Sequence, residues 1–175
     1  TDISKTAEIF RQEMQDGLSG KASSLAMIPS FITNTFSAIE NECVIAIDAG
    51  GTNLRISLVR LHLEKLPEIL SMKRFPMPGT KGAVTSDEFF DFLALELAEF
   101  LTKTTKIGFC FSYSVEILPS KDGKIIALGK EVKIHGITGR IIGVELTKAL
   151  KRKNLPPFTH LTVLNDTTAA LIGGQ

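Results

Sequence analysis

Asp48, Gly50, Gly51, Thr52, Asn53 and Arg55 fall within the stretch "DAGGTNLR", between the apolar runs "CVIAI" and "ISLV". Paired glycines let a backbone approach an anion without Cβ obstruction, and consecutive N–H groups form an anion-binding concavity. Thr52 and Asn53 add side-chain donors, and Arg55 adds a charged one. Asp48 would repel a phosphate there unless a divalent cation lay between them, so the pattern points to phosphate-bound magnesium with Asp48 on the metal side. The same residues also fit a plain hairpin whose turn uses Gly-Gly and Asn because they tolerate positive φ, with Asp48 and Arg55 paired to each other. Neither G-x-G-x-x-G nor a Walker loop is present. Leu54, Ile56 and Leu58 alternate with Arg55, Ser57 and Val59, so the chain leaves the turn as a strand and not as a helix.

A second candidate lies in "VLNDTTAALIGG", where Asn165 and Asp166 stand at the end of a strand and the mouth of a helix. Open α/β sheets bind ligands at that place, and Asp166 there has the chemistry of a general base. Helix capping accounts for the same two residues. Cys110, in "GFCFSYS", has no His or Asn placed to activate it and reads as a core residue. Cys43 and Cys110 lack CxxC spacing, and His62, His135 and His160 are isolated, so the expectation is reduced thiols and no zinc site. Lys148, Lys151, Arg152 and Lys153 read as a cationic helix C-terminus, and Lys130 as a solvated lysine.

The elements that must position these groups can be read in order. Asp2 or Ser4 caps an opening helix, "AEIFRQEMQDGL", with Ile9, Phe10, Met14 and Leu18 on one apolar face and Gly17 or Gly20 at its end. "KASSLAMIPSFITN" is a connector packed on the surface of the core. Strands begin at Cys43, and "EILSMKRFPMPG" is the third, ending at Pro76 and Pro78. "SDEFFDFLALELAEFLTK" is a helix capped by Ser86, with Asp87 and Glu88 in its first turn and Phe89, Leu93, Leu97 and Phe100 inward. "KIGFCFSYSVEI" follows as a buried strand, "KDGKII" as an Asp-Gly turn, "GVELTKALKRKN" as a helix, "HLTVLN" as a strand and "DTTAALIGG" as the start of a further helix. Three leading strands followed by alternating helix and strand predict a single α/β unit with a mixed sheet.

Composition narrows the function classes. The 175 residues are 43% hydrophobic, enough for a sizeable core, and 20 basic against 19 acidic residues leave a net charge of +1. Nothing in that balance draws the chain to nucleic acid or to an anionic membrane. The apolar runs are too short to span a bilayer and "TDISKTAEIF" has no basic-then-apolar signal layout, which gives a cytoplasmic expectation. "ALIGGQ" stops inside a helical pattern, so continuation beyond Gln175 is expected.

Taken together, "IAIDAGGTNLRISLV", "IGFCFSYSVEI" followed by Lys130, and "VLNDTTAALIGG" resemble the phosphate motif, sugar signature and catalytic turn of the hexokinase family. "RQEMQDGLSGKASSLAMIPSFI" resembles that family's N-terminal segment, so the likeness covers nearly the whole chain. The resemblance implies an actin-like ATPase (ribonuclease H-like) fold and an ATP-dependent hexose kinase, taking glucose to glucose 6-phosphate at the first step of glycolysis. It implies that residues 1–175 are the N-terminal, small lobe and that a C-terminal lobe is missing from them. Carried over residue by residue, it assigns Asp48, Gly50, Gly51, Thr52, Asn53 and Arg55 to ATP phosphate and Mg2+. Ser112, Tyr113, Lys130, Asn165 and Asp166 are assigned to the sugar, and Asp166 is also the base. Three departures stand out: Ser114 where the family has proline, Leu128 where it has tryptophan, and Gly129 where it has threonine. The last removes a hydroxyl from the sugar side, so the hexose preferred is open, and a non-catalytic sugar-binding regulator is the alternative to a kinase. The 175 residues alone are expected to transfer no phosphate.

Overall fold

Strand pairing radiates from the glycine turn. In the computed structural model, which describes residues 2–25, 27–32, 40–129 and 131–173, α1 (Ile3–Leu18) is followed by β1 (Cys43–Ala49), β2 (Asn53–Arg60) and β3 (Glu68–Pro76). Next come β4 (Val84–Thr85), α2 (Ser86–Leu101), β5 (Lys106–Phe111), β6 (Ser114–Ile117) and β7 (Gly123–Ala127). β8 (Ile134–His135), α3 (Ile142–Arg152), β9 (His160–Leu164) and α4 (Asp166–Gly173) complete the order. The main sheet runs β3-β2-β1-β5-β9, antiparallel among its first three strands and parallel from β1 through β5 to β9. This is the mixed sheet expected from three leading strands and later helical crossovers.

Period-two alternation sends Ile45, Ile47 and Ala49 of β1, Leu54 and Ile56 of β2, and Ile107, Phe109 and Phe111 of β5 into one core. Phe89, Phe90, Leu93 and Leu97 of α2 and Ile142, Leu146 and Ala149 of α3 complete that core. The opposite face carries small and polar residues, with Ala46, Ser57, Gly108 and Thr162 in one register row and Asp48, Arg55 and Cys110 in the next. α2 and α3 are also clamped at the surface, because Arg152 and Lys153 reach Asp91. The cationic end of α3 is therefore spent on its neighbouring helix.

Several local expectations need correction. Thr85, not Ser86, caps α2: its backbone is extended, its hydroxyl accepts the Glu88 N–H, and the Glu88 carboxylate accepts the Thr85 N–H in return. The Ser86 side chain lies one residue further in, where it is buried. "KIGFCFSYSVEI" is not one strand: β5 stops at Phe111 and β6 starts at Ser114, leaving the main sheet to pair with β7. Apolar content alone cannot show that break, which falls at Ser112 and Tyr113. The turn of the β6–β7 hairpin precedes the Asp-Gly pair, with Lys121 at φ 67, and Asp122 instead accepts the Gly143 N–H at the start of α3. α1 starts earlier than expected and is capped by Asp2, but it buries none of its residues, and Ile9, Phe10 and Leu18 are exposed.

Candidate functional site

Three parallel strands deliver their carboxyl ends to one rim. Register places Asp48 beside Cys110 and Cys110 beside Leu164, so the chain leaves β1, β5 and β9 at the same level. The residues that follow are Gly50–Thr52, Ser112–Tyr113 and Asn165–Asp166. Carboxyl ends of parallel strands are where open α/β sheets bind ligands.

The first of these is the tip of an antiparallel hairpin, closed by the Gly50 N–H donating to the Asn53 carbonyl at 2.9 Å. The Thr52 carbonyl is taken by the Met77 N–H, while the N–H groups of Gly51 and Thr52 meet no acceptor among the described residues. Asn53 donates to the Thr52 hydroxyl and accepts from Arg74. The turn thus presents two free backbone donors and a hydroxyl, a donor set suited to phosphate oxygens. Behind it the Arg55 guanidinium donates to Asp48 Oδ2 at 2.5 Å, the pairing that the hairpin reading anticipated. Asp48 keeps 38% of its side-chain surface in contact with solvent, so the ion pair orients the carboxylate without hiding it from a cation.

The second segment crosses from β5 to β6. The Ser112 N–H donates to the Ala49 carbonyl, and the Tyr113 hydroxyl donates to the Gly50 carbonyl at 2.8 Å. The Tyr113 ring is 7% exposed and packs edge-on against Phe111. Burial, followed by the Glu131 charge, pushes its phenol up to about 12, so the hydroxyl remains a donor. Tyr113, expected on the sugar, spends its polar atom on the glycine turn. That link joins the two candidate motifs and is invisible in the sequence.

At the third segment, Asn165 Oδ1 accepts the Thr167 N–H and hydroxyl, and Asp166 Oδ1 accepts the same N–H at 2.7 Å. Both therefore take part in starting α4, as the capping reading required. Asp166 is exposed, which leaves its carboxylate accessible. Cys110 lies between this segment and Asp48; burial and those two negative charges push its thiol up to about 11, so it is no nucleophile at neutral pH.

A cleft of about 580 Å³ opens beside the rim, bordered by Ser112, Tyr113, Ser114 and Asn165. Ile28, Pro29, Ser30 and Thr168 border it too. The first three belong to the connector, which sequence placed on the core surface without a role. Lys130 lies outside the described residues. Gly129 is described, and a Cβ there would stand 2.7 Å from Glu131 Oε1, so its small size makes room for that carboxylate. The site thus lacks more than a hydroxyl at this position: it has a glutamate beside it.

The hexokinase family model matches residues 1–175. The chain belongs to the hexokinase family. Hexokinase-2 of Candida albicans is 32% identical over 174 residues, covering 95% of this chain and 36% of that protein. Hexokinase-1 of Spinacia oleracea is 30% identical, covering 99% of this chain and 37% of its own length. The solved hexokinase of Schistosoma mansoni complexed with glucose aligns with a TM-score of 0.71 at 28% identity, over 89% of this chain and 37% of that one. A further hexokinase crystal structure aligns at a TM-score of 0.68 and 23% identity, which speaks to the fold. That fold is the actin-like ATPase fold, and the chain spans little more than a third of the length of these relatives.

Proposed function

We propose that this chain is the sugar-binding lobe of an ATP-dependent hexose kinase, carrying the base, and that a second lobe of the whole protein closes over it. The observation that carries this reading is the meeting of Gly50–Thr52, Ser112–Tyr113 and Asn165–Asp166 on one rim beside one cleft. The share of relatives' length that the chain spans supports a second lobe.

In this reading the amides of Gly51 and Thr52, with the Thr52 and Asn53 side chains, hold the phosphates of ATP, and Asp48 faces the Mg2+. Arg55 orients Asp48 through their ion pair. Mg2+ held there would neutralise charge on the transferring phosphoryl group, while the protein's own residues position the reactants and stabilise the remaining charge. Ser112, Lys130 and Asn165 bind the hexose, and Asp166 takes the proton of the attacking hydroxyl. Tyr113 fixes the Gly50 carbonyl, keeping the neighbouring amides turned towards the phosphates. Lobe closure excludes water and so favours sugar over hydrolysis as acceptor. Glucose is the proposed hexose, which places the reaction at the entry to glycolysis in the cytoplasm. No helix among the described residues is long and apolar enough to cross a membrane.

The test is a coupled kinase assay of the complete protein with Mg-ATP and a panel of hexoses, run beside calorimetric hexose binding. Turnover with glucose at a rate typical of sugar kinases supports the reading. Hexose binding without any phosphate transfer would replace it with a sugar-binding regulator.

A further inference from the structure

Glu131 stands between two glycines. Its Oε1 lies 2.7 Å from where a Cβ on Gly129 would be and 3.7 Å from where one on Gly51 would be. The carboxylate therefore rests in van der Waals contact with the bare side of the glycine turn at Gly51, and in space that a side chain on Gly129 would claim. Its charge also contributes to raising the Tyr113 phenol, whose hydroxyl is bonded to the Gly50 carbonyl. The geometry puts this negative group beside Gly51, and its charge is felt at Tyr113. Asp48 approaches the turn from β1, so the turn has a carboxylate from each of two segments of the chain.

A carboxylate a few ångströms from a phosphate repels it, and a divalent cation on the phosphate offsets much of that repulsion. We propose that Glu131 is a specificity-determining residue that opposes metal-free polyphosphate at the Gly50–Thr52 turn, so that the turn selects the metal-complexed nucleotide. The inference rests on the phosphate role given to that turn above. The glycine at 129 leaves that space open, because a Cβ there would have to displace the carboxylate.

The experiment measures ATP binding to the complete protein by calorimetry, once with Mg2+ and once with a chelator, for the parent, Glu131→Gln, Gly129→Ala and Thr52→Val. Glu131 is exposed, so its replacement leaves folding intact. Glu131→Gln is expected to tighten metal-free ATP roughly tenfold while changing Mg-ATP by less than about threefold, and higher salt should shrink the difference. Gly129→Ala, which moves the carboxylate and keeps the charge, is expected to act in the same direction with a smaller effect. If Thr52→Val weakens Mg-ATP but Glu131→Gln leaves the ratio of metal-free to Mg-ATP affinity at the parent value, the inference is overturned and the phosphate turn stands. If Thr52→Val leaves Mg-ATP binding unchanged, the turn is misassigned and the inference falls with it.

Discussion

Phe109 and Ser112 lie three residues apart, at the end of β5 and just past it. Phe109 is 1% exposed in a core shared with α2 and α3, and its position is dictated by shape. Ser112 is half-buried and donates its backbone N–H to Ala49. The same contrast runs through β1 and β9, whose buried residues face the core while Asp48 and Thr52 lie near the end of β1, and Asn165 and Asp166 just past the end of β9. The core sets the level at which all three strands stop, and the rim needs only short polar segments to become a site. Precision in the rim is thus borrowed from the core, while its chemistry can change without unfolding the lobe.

Breaking the core side of this comparison should have the largest effect. Phe109→Ala should cost about 3–5 kcal/mol of stability by denaturant midpoint, and should weaken hexose and nucleotide together because the ends of β1 and β9 both lose their reference. A loss of one ligand alone would show that the rim segments are positioned independently. On the rim side, Asp48→Ala should weaken Mg-ATP by roughly tenfold to a hundredfold and leave calorimetric hexose binding nearly intact. A defect confined to hexose would move Asp48 to the other half of the site.

Tyr113→Phe tests the link between the two motifs. It removes one hydrogen bond to Gly50 while keeping the ring, so Mg-ATP affinity should fall by about 0.5–1.5 kcal/mol, with stability almost unchanged. An effect on hexose larger than on nucleotide would return Tyr113 to the sugar. The smallest effect concerns an ionic staple of the packed side. The hydrogen bond from Lys148 and the charge of Arg140 hold the buried Glu145 carboxyl below its ordinary value of 4.5. A depressed folded pKa means that this stabilisation is present above about pH 4.5 and is lost as pH falls through the folded value. Glu145→Gln should therefore lower the denaturation midpoint near neutral pH and converge with the parent in acid. A constant gap across that range would remove Glu145 from the acid response.

These two regions also differ in how far they could be read beforehand. Period-two and helical spacing located the strands of the main sheet and α2 and α3, because burial of one face imposes a pattern on sequence. The hairpin at Gly50–Asn53 followed from Leu54, Ile56 and Leu58 alternating beyond it, and the motif residues lie together at the ends of β1, β5 and β9. What stayed hidden depends on tertiary contact: the break of the strand at Ser112, the bond from Tyr113 to Gly50, and Glu131 lying against Gly51 and Gly129. The Thr85 cap was hidden for a different reason. Thr85 and Ser86 are adjacent hydroxyl residues, and only backbone conformation tells which one turns its oxygen to the helix.

The central claim, that the rim is a kinase site with Asp166 as base, is tested most directly by turnover of the complete protein with Asp166→Ala, measured beside its hexose dissociation constant. The account predicts a fall in turnover of at least about a hundredfold with hexose affinity changed far less, the pattern of a group needed for proton transfer more than for binding. Equal turnover of variant and parent would contradict it and leave Asp166 as no more than a participant in the start of α4.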